Sequence, residues 1–306
     1  MRIVFAGTPE PALPSLRRLA ASRHEVVGVV TRRDAPLGRK RVLTPSPVAA
    51  LAVELGLPVL KTDRLDAAAT ETITSWGADL GVIVAYGGLV REPLLSAPRH
   101  GWINLHFSLL PAWRGAAPVQ HSLIAGDRVS GVSVFQLVPE LDAGDVFAQT
   151  RHPVDRGATA GRLLAELADL GADTVSDVVD AIAGGTATAV AQTGEPTLAP
   201  KLTLADGLLD FALPADTVLD RFRGTTPEPG AHTTVAGQRL KVLSARRGPD
   251  APALAPREVR LVGKEVLVGT ADGTISLLSV QPAGRGAMPA PDWWRGLRVD
   301  SLEAGS

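Results

Sequence analysis

The sequence predicts an α/β protein in which a doubly wound, mostly parallel, Rossmann-like sheet is followed by a small OB-like β-barrel domain. Two observations predict the first part. Short β-branched runs alternate with helical stretches up to about residue 183, and several of these runs are too uniformly apolar to face water. One observation predicts the second part, because from residue 206 short strands follow one another between glycines and prolines.

The strand and helix patterns of the first part follow one another in order. A helix is predicted to begin just after the first strand, with Thr8 as its N-cap and Pro9 at the first helical position, where a missing N–H costs nothing. The other helices are predicted at residues 46–55, 116–125 and 159–183, and the strands at residues 3–7, 25–31, 78–86, 101–107, 131–137 and 146–154.

The pattern changes after residues 184–185, and by residues 200–206 the alternation of strands and helices has stopped. One predicted helix precedes about five short strands, a number that fits a small Greek-key barrel. The helix is at residues 215–223, and the strands are at 233–235, 239–245, 258–262, 265–270 and 274–280. We therefore predict a first domain at residues 1–192, a linker at 193–205 and an OB-like domain at 206–306.

The composition excludes several classes of protein. With 45% apolar and 21% charged residues, the 306-residue chain has enough apolar side chains for an ordinary folded core. The absence of cysteine excludes disulfides and thiolate nucleophiles, and a formal net charge of -1 is not that of a polycation that coats nucleic acid. No signal-peptide pattern and no run of roughly 18 apolar residues occurs, so we expect a cytoplasmic protein with no membrane partner.

Asn104 and His106 stand two residues apart at the end of a predicted strand. At that spacing both side chains point to one side, while Ile103, Leu105 and Phe107 point to the other side and pack. Ligands of open parallel sheets bind beyond the carboxyl ends of the strands, so an amide and an imidazole here are placed to act on a substrate. The alternative is that His106 is a hydrogen-bonded structural histidine.

Carboxylates also occur in the segment 140–145, between two predicted strands. Turns favour aspartate and glycine for local backbone reasons, so the composition of this segment predicts a turn whatever its function. The spacing does not show whether Asp142 faces His106.

Two segments are strongly basic for a chain of this net charge. Residues 31–43 hold five cations and one acid, for a net charge of +4, and Pro36 and Gly38 disfavour regular structure there. Residues 221–247 hold six cations and one acid, for a net charge of +5. Both segments suit contacts with nucleic-acid phosphates, and the alternative for each is an ordinary solvated surface.

Several common catalytic patterns are missing. The first strand is not followed by the glycines of a dinucleotide fingerprint, and no phosphate-binding P-loop occurs. The sequence around Ser133 lacks the second glycine of a nucleophile elbow, which disfavours a serine hydrolase. The six histidines do not have the spacing of a zinc site, so we predict no metal.

The motifs of the chain resemble those of a known enzyme family. The string NLHFSLLPAWRG at residues 104–115, followed by LDAGD at 141–145, resembles the 10-formyltetrahydrofolate-dependent formyltransferases. The flanking strings AGTPE at 6–10 and QTGE at 192–195 are similar to the methionyl-tRNA formyltransferase branch of that group. The resemblance spans nearly the whole chain.

The resemblance implies an activity, a donor and a set of site residues. The first domain would transfer formyl from 10-formyltetrahydrofolate, a co-substrate, to the α-amine of methionyl initiator tRNA, which the OB-like domain would help to bind. Residues 85–88 would form one wall of the donor pocket. The implied site residues are Asn104, His106 and Asp142 for catalysis, Ser108, Leu109, Leu110 and Pro111 for folate binding, and Arg39, Lys40 and Arg41 for tRNA binding. We expect the protein to be a monomer.

The residue types suit this chemistry. Asn104 and a protonated or proton-sharing His106 would donate to the oxyanion, and Asp142 would hold His106 cationic or relay a proton from the amine. Two alternatives stay open. One is a formyltransferase that acts on glycinamide ribonucleotide or an amino sugar nucleotide, and the other is a non-catalytic RNA-binding protein that uses the barrel.

Overall fold

Two units, each built around its own β-sheet, make up the chain in a computed structural model, which describes residues 1–38, 40–249 and 253–305. The first unit comprises Met1–Pro118, Val129–Pro153 and Leu164–Ala199. The second unit comprises Val119–Arg128, Val154–Leu163 and the described residues from Pro200 onward. Each unit is therefore built from more than one stretch of sequence, and the predicted boundaries of continuous domains stay a prediction.

Strands and helices are interspersed as far as residue 183. In chain order they are β1 (Arg2–Gly7), α1 (Leu13–Ala20), β2 (Glu25–Thr31), β3 (Ala35–Leu37), β4 (Val42–Thr44), α2 (Pro47–Glu54), β5 (Val59–Lys61), α3 (Ala67–Ser75), β6 (Leu80–Val84), β7 (Trp102–His106), α4 (Pro118–Ile124), β8 (Val129–Gln136), β9 (Val146–Pro153) and α5 (Ala160–Ala183). None of the helices in the described part of the chain is long and apolar enough to cross a membrane.

The first unit contains a seven-stranded sheet of order β5-β2-β1-β6-β7-β8-β9. The four pairs from β5 to β7 are parallel, and β8 and β9 pair antiparallel to their neighbours. Strands β1, β6 and β7 are buried over nearly their whole length, and the apolar runs of β1 and β6 predict this burial. The predicted mostly parallel, Rossmann-like sheet is confirmed.

Strand β7 lies between a parallel neighbour and an antiparallel one. Asn104 is level with Ile83 of β6 and Phe135 of β8, and His106 is level with Ser133 of β8. Because β1, β6 and β7 are parallel, their carboxyl ends meet at one edge of the sheet. That edge is where open parallel sheets bind ligands.

The first helix differs from its prediction. Thr8 is not an N-cap, because its Oγ1 donates to the carbonyl oxygen of Tyr86 at 3.1 Å. A short 3₁₀ helix (Glu10–Ala12), with Pro9 at its N-cap position, precedes α1. The prediction was wrong because Thr8 leaves β1 beside the end of β6, where a neighbouring carbonyl competes with the helix for its hydroxyl.

From residue 200 onward, the described part of the second unit consists of an antiparallel sheet with one α-helix before it and another near its end. Its later elements are α6 (Ala215–Gly224), β10 (His232–Val235), β11 (Gln238–Arg247), β12 (Glu258–Val262), β13 (Glu265–Gly269), β14 (Thr274–Pro282), β15 (Met288–Pro289), α7 (Ala290–Leu297) and β16 (Leu302–Glu303). The strand order is β10-β11-β14-β13-β12-β16, with β15 paired to β14.

This antiparallel sheet nearly closes on itself. A bridge joins Val235 of β10 to Ala304, the residue after β16, so the two ends of the strand order meet. The enclosed core includes Phe222 of α6 and the edge-to-face pair Trp293 and Trp294 of α7, whose ring centroids are 6.1 Å apart. The predicted OB-like barrel is confirmed.

Candidate active site

A cavity of about 870 Å³ opens at the carboxyl edge of β6 and β7. Asn104 and His106 of β7 line it together with Asp142, which follows β8, and residues 85–92 after β6 form another side. The structure therefore brings the three residues expected to be catalytic into one cavity. Among the described residues, no group of three or more histidine, aspartate and glutamate side chains is placed to hold a metal ion.

His106 is buried, with 6% of its surface exposed. Its Nε2 lies 2.8 Å from the carbonyl oxygen of Trp113. A carbonyl oxygen only accepts hydrogen bonds, so Nε2 carries the hydrogen, and Nδ1 of the neutral ring keeps a lone pair. Nδ1 lies 3.8 Å from Oδ2 of Asp142, too far for a hydrogen bond but close enough for electrostatic attraction once the ring is protonated.

Burial is the main influence on the pKa of His106. Moving an imidazolium out of water costs free energy, so burial lowers the pKa of His106 below the usual value of 6.5. The Asp142 carboxylate and the hydrogen bond to Trp113 raise this pKa, but by less. At pH 7 His106 is therefore neutral, and this state suits a proton acceptor better than a permanently cationic donor.

Asp142 reaches the cavity from a tight turn. Its backbone is left-handed, with φ of +45°, and its Oδ2 accepts the backbone N–H of Gly115 at 2.8 Å. Gly115 has φ of +124°, and a Cβ there would lie 2.7 Å from the carbonyl oxygen of Ala199, so only glycine fits without moving the chain. The turn predicted for residues 140–145 is confirmed. The residue spacing in the sequence does not predict that the Asp142 carboxylate faces His106.

The side chain of Asn104 is free to meet a ligand. It lines the cavity and is half-buried. Within residues 1–38, 40–249 and 253–305 its amide makes no hydrogen bond. It can therefore donate to a ligand oxygen without losing a contact within the protein.

Residues 85–88, which follow β6, line another side of the cavity, and Arg32 contacts two of them. The guanidinium of Arg32 donates to the carbonyl oxygen of Gly87 and lies over the ring of Tyr86, 5.9 Å from its centroid. Arg32 also pairs with Asp63 at 3.8 Å. The sequence analysis counted Arg32 among the basic residues of 31–43, but in the structure Arg32 contacts Tyr86 and Gly87 in the cavity wall.

The structure does not place residues 108–111 in the lining of this cavity. Ser108 and Leu110 are buried, and the hydroxyl of Ser133 donates to the Ser108 carbonyl at 2.6 Å and accepts the Leu110 N–H at 3.0 Å. Gln149 donates to both the Ser133 hydroxyl and the Leu110 carbonyl. These bonds fix the start of the loop that carries Trp113. Folate contacts at Ser108, Leu109, Leu110 and Pro111 stay a prediction.

Residues 197–199, which the sequence assigns to a linker, pair with this same loop. The N–H of Arg114 donates to the Thr197 carbonyl at 2.8 Å, and the N–H of Ala199 donates to the Arg114 carbonyl at 2.7 Å. The Thr197 hydroxyl accepts the N–H of Trp113 at 2.8 Å. The segment thus fixes the loop that holds His106 and Asp142. No periodicity or motif in the sequence indicates this pairing.

Strands β3 and β4 form a hairpin, so the prediction of irregular structure at residues 31–43 is wrong for this part. Pro36 is tolerated because a two-stranded hairpin leaves edge positions that need no N–H, and Gly38 takes the positive φ of the turn. Lys40 and Arg41 are exposed and form no ion pair with the described residues. Arg39, the third residue expected to bind tRNA, lies outside the described residues.

Fewer cations of the second unit are free than their number implies. Three of the six in residues 221–247 pair with carboxylates that lie outside that window: Arg223–Asp220, Arg246–Glu265 and Arg247–Asp216. Arg223 is also buried, with 5% of its surface exposed. The net charge of +5 therefore overstates the basic surface, because counting along the chain omits acids that other elements bring near.

Comparisons with known proteins identify the family of the chain. The family model described as formyl transferase matches residues 1–179, and the one described as formyl transferase, C-terminal domain, matches residues 201–298. The methionyl-tRNA formyltransferase of Clavibacter sepedonicus is 61% identical over 304 residues, which cover 99% of this chain and 100% of that protein. That of Leifsonia xyli subsp. xyli is 59% identical, with 97% of each chain covered.

A solved structure has the same fold. The N-formyltransferase from Helicobacter canadensis, in complex with folinic acid and dTDP-3-aminofucose, matches with a TM-score of 0.70 and 14% identity, covering 92% of this chain and 98% of that one. At this identity the likeness establishes the fold alone. The family matches and the nearly full-length relatives establish more: the chain belongs to the formyltransferase family, in its methionyl-tRNA formyltransferase branch.

Proposed function

We propose that the protein transfers the formyl group of 10-formyltetrahydrofolate to the α-amine of methionyl initiator tRNA, giving formylmethionyl-tRNA for translation initiation. One observation carries the proposal. Asn104, His106 and Asp142 line a single cavity in a chain that belongs to this family.

The cavity suits a folate donor by size and by chemistry. Binding sites for small molecules typically measure roughly 300 to 1,000 Å³ and are mostly apolar with a few polar groups, a range that includes the cavity of about 870 Å³. Its wall after β6 combines apolar side chains such as Leu89 and Val90 with residues 85–88. The folinic acid held by the formyltransferase from Helicobacter canadensis also supports a folate here.

His106 acts as the proton acceptor in this proposal. The attacking α-amine must lose a proton as it bonds to the formyl carbon, and Nδ1 of neutral His106 takes that proton. Asp142, 3.8 Å away, stabilises the imidazolium that forms. His106 then gives the proton to the folate nitrogen as its bond to the formyl carbon breaks. Acid–base help of this kind contributes about 100- to 10,000-fold to a rate.

Asn104 stabilises the formyl oxygen. Negative charge develops on this oxygen when the amine adds, and the unpaired amide of Asn104 donates a hydrogen bond to it. A single donor of this type is worth about 3 to 4 kcal/mol in a preorganised site. Binding the two substrates in attack geometry supplies much of the remaining rate, and no covalent enzyme intermediate is needed.

The β3–β4 hairpin supports a nucleic-acid acceptor. Lys40 and Arg41 are exposed without carboxylate partners among the described residues, so both are available to phosphates. Three exposed apolar side chains flank them, Leu37, Val42 and Leu43. By the family resemblance, Arg39, Lys40 and Arg41 bind the acceptor end of the tRNA.

One assay tests the activity and the acceptor together. Purified protein is incubated with labelled 10-formyltetrahydrofolate and, separately, with methionyl initiator tRNA, free methionine, glycinamide ribonucleotide and an amino sugar nucleotide. We expect transfer only to the charged tRNA. Transfer to a small acceptor, with none to the tRNA, would contradict the proposal.

The translation role of the family indicates the cellular compartment in which the protein works. We infer that the protein works in the cytoplasm, as a monomer and without a metal. Light scattering after gel filtration checks the monomer, and activity after prolonged chelation checks the metal.

A further inference from the structure

Gln192 joins the two loops that hold the catalytic pair. Its Nε2 donates to the carbonyl oxygens of Asp142 at 2.8 Å and Gly144 at 2.9 Å. Its Oε1 accepts from Nε of Arg114 at 3.2 Å and from a terminal nitrogen of the same guanidinium at 2.6 Å. One side chain therefore bonds to both sides of the site.

The orientation of this amide is unambiguous. Carbonyl oxygens only accept and a guanidinium only donates, so the nitrogen of Gln192 must face the turn and its oxygen must face Arg114. Both hydrogens of Nε2 are used, and the hydrogen bonds to a charged group are the stronger kind. Glutamate, the nearest substitute in shape, would keep the contact with Arg114 but could not donate to the two carbonyls.

Arg114 stands between the two residues that hold the catalytic side chains. The preceding residue, Trp113, accepts the hydrogen bond from Nε2 of His106, and the following residue, Gly115, donates to Asp142. Gln192 therefore links the loop that orients His106 to the turn that carries Asp142. The 3.8 Å gap between Nδ1 and Oδ2 depends on the relative position of these two segments.

We propose that Gln192 is a positioning residue for the formyl transfer, which sets the distance between Asp142 and His106 by fixing the 142–144 turn to Arg114. This inference rests on the proposed function for its kinetic effect only. Gln192 does not line the cavity, so it contacts no substrate there and acts through the two catalytic side chains.

The test uses two substitutions and one neighbouring control. Gln192→Ala removes all four hydrogen bonds, and Gln192→Glu keeps the shape and the contact with Arg114 while removing both donors to the turn. Thr193→Ala changes the next residue, which is exposed and outside the cavity lining. If Gln192→Ala fails to fold, the same measurements on Gln192→Glu decide the question.

The first readout is independent of activity. The pKa of His106 is measured by NMR in the histidine-labelled full chain, with its signal assigned by loss in His106→Gln. Since the Asp142 carboxylate raises this pKa, loosening the turn should lower it in both Gln192 variants and leave it unchanged in Thr193→Ala. The other ionisable side chains that line the cavity are Tyr86, Arg91, Glu92 and Glu140, and all variants retain them.

The second readout is the split between kcat and KM. We expect kcat for methionyl-tRNA to fall at least about tenfold in both Gln192 variants, with the KM for the folate donor within about threefold of wild type. An unchanged His106 pKa would overturn the inference, whatever the rate. Absence of transfer by the wild-type protein would count against the proposed function and would leave the NMR comparison to decide on Gln192.

Discussion

The charge of Asp142 can be removed without changing the shape of its side chain, by Asp142→Asn. The asparagine oxygen can still accept the N–H of Gly115, so the turn should keep its hydrogen bond. What is lost is the attraction to protonated His106 across 3.8 Å, which is worth about 4 kcal/mol at an effective dielectric constant of about 20. Since each 1.36 kcal/mol is a factor of ten in rate, we expect transfer to slow by about 100- to 1,000-fold.

Single-turnover transfer from labelled 10-formyltetrahydrofolate to methionyl-tRNA, with enzyme in excess, measures this effect without interference from product release. Asp145→Asn is the matched control, because Asp145 lies in the same segment, is exposed and does not line the cavity. We expect the control to retain the wild-type rate and both variants to keep the wild-type Tm. A rate for Asp142→Asn within threefold of its control would refute the electrostatic role of this carboxylate.

Three further predictions concern other parts of the site. Because the pKa of His106 is lowered, kcat should stay level from pH 8 to 6.5 and fall only at lower pH. The free energy of unfolding should also decrease below pH 6.5, since the unfolded chain takes up the proton first. Arg32→Ala removes a charged hydrogen bond to the Gly87 carbonyl in the cavity wall, so the KM for the folate donor should rise roughly tenfold. Arg33→Ala, the control, should leave this KM unchanged. Joint replacement of Lys40 and Arg41 by alanine should weaken tRNA binding and reduce the slope of log affinity against log salt by about 1.5, leaving folate affinity unchanged.

The sequence predicted the parts of the fold that repeat a simple pattern. Buried strands such as β1 and β6 are uniformly apolar, and the spacing of Asn104 and His106 on β7 placed both at the carboxyl edge of the sheet. The family resemblance added Asp142, 36 positions beyond His106, which no local pattern connects to it.

The rest depends on contacts between distant segments. Gln192 meets Asp142 across 50 positions, and Arg32 meets Gly87 across 55, so neither role has a local signal. The main-chain carbonyl of Trp113 fixes the tautomer of His106, and main-chain groups are the same in every sequence. Thr8 was misassigned for the same reason, because the carbonyl that binds its hydroxyl belongs to another strand end.

The proposed mechanism requires Asn104, His106 and Asp142 to carry out formyl transfer together in one cavity. Its most direct test is the single-turnover rate to methionyl-tRNA for Asn104→Ala, His106→Ala and Asp142→Ala at saturating donor, with circular dichroism to check folding. We predict that each substitution slows transfer by at least about 100-fold in a folded protein. Near-normal rates in all three variants would contradict this mechanism.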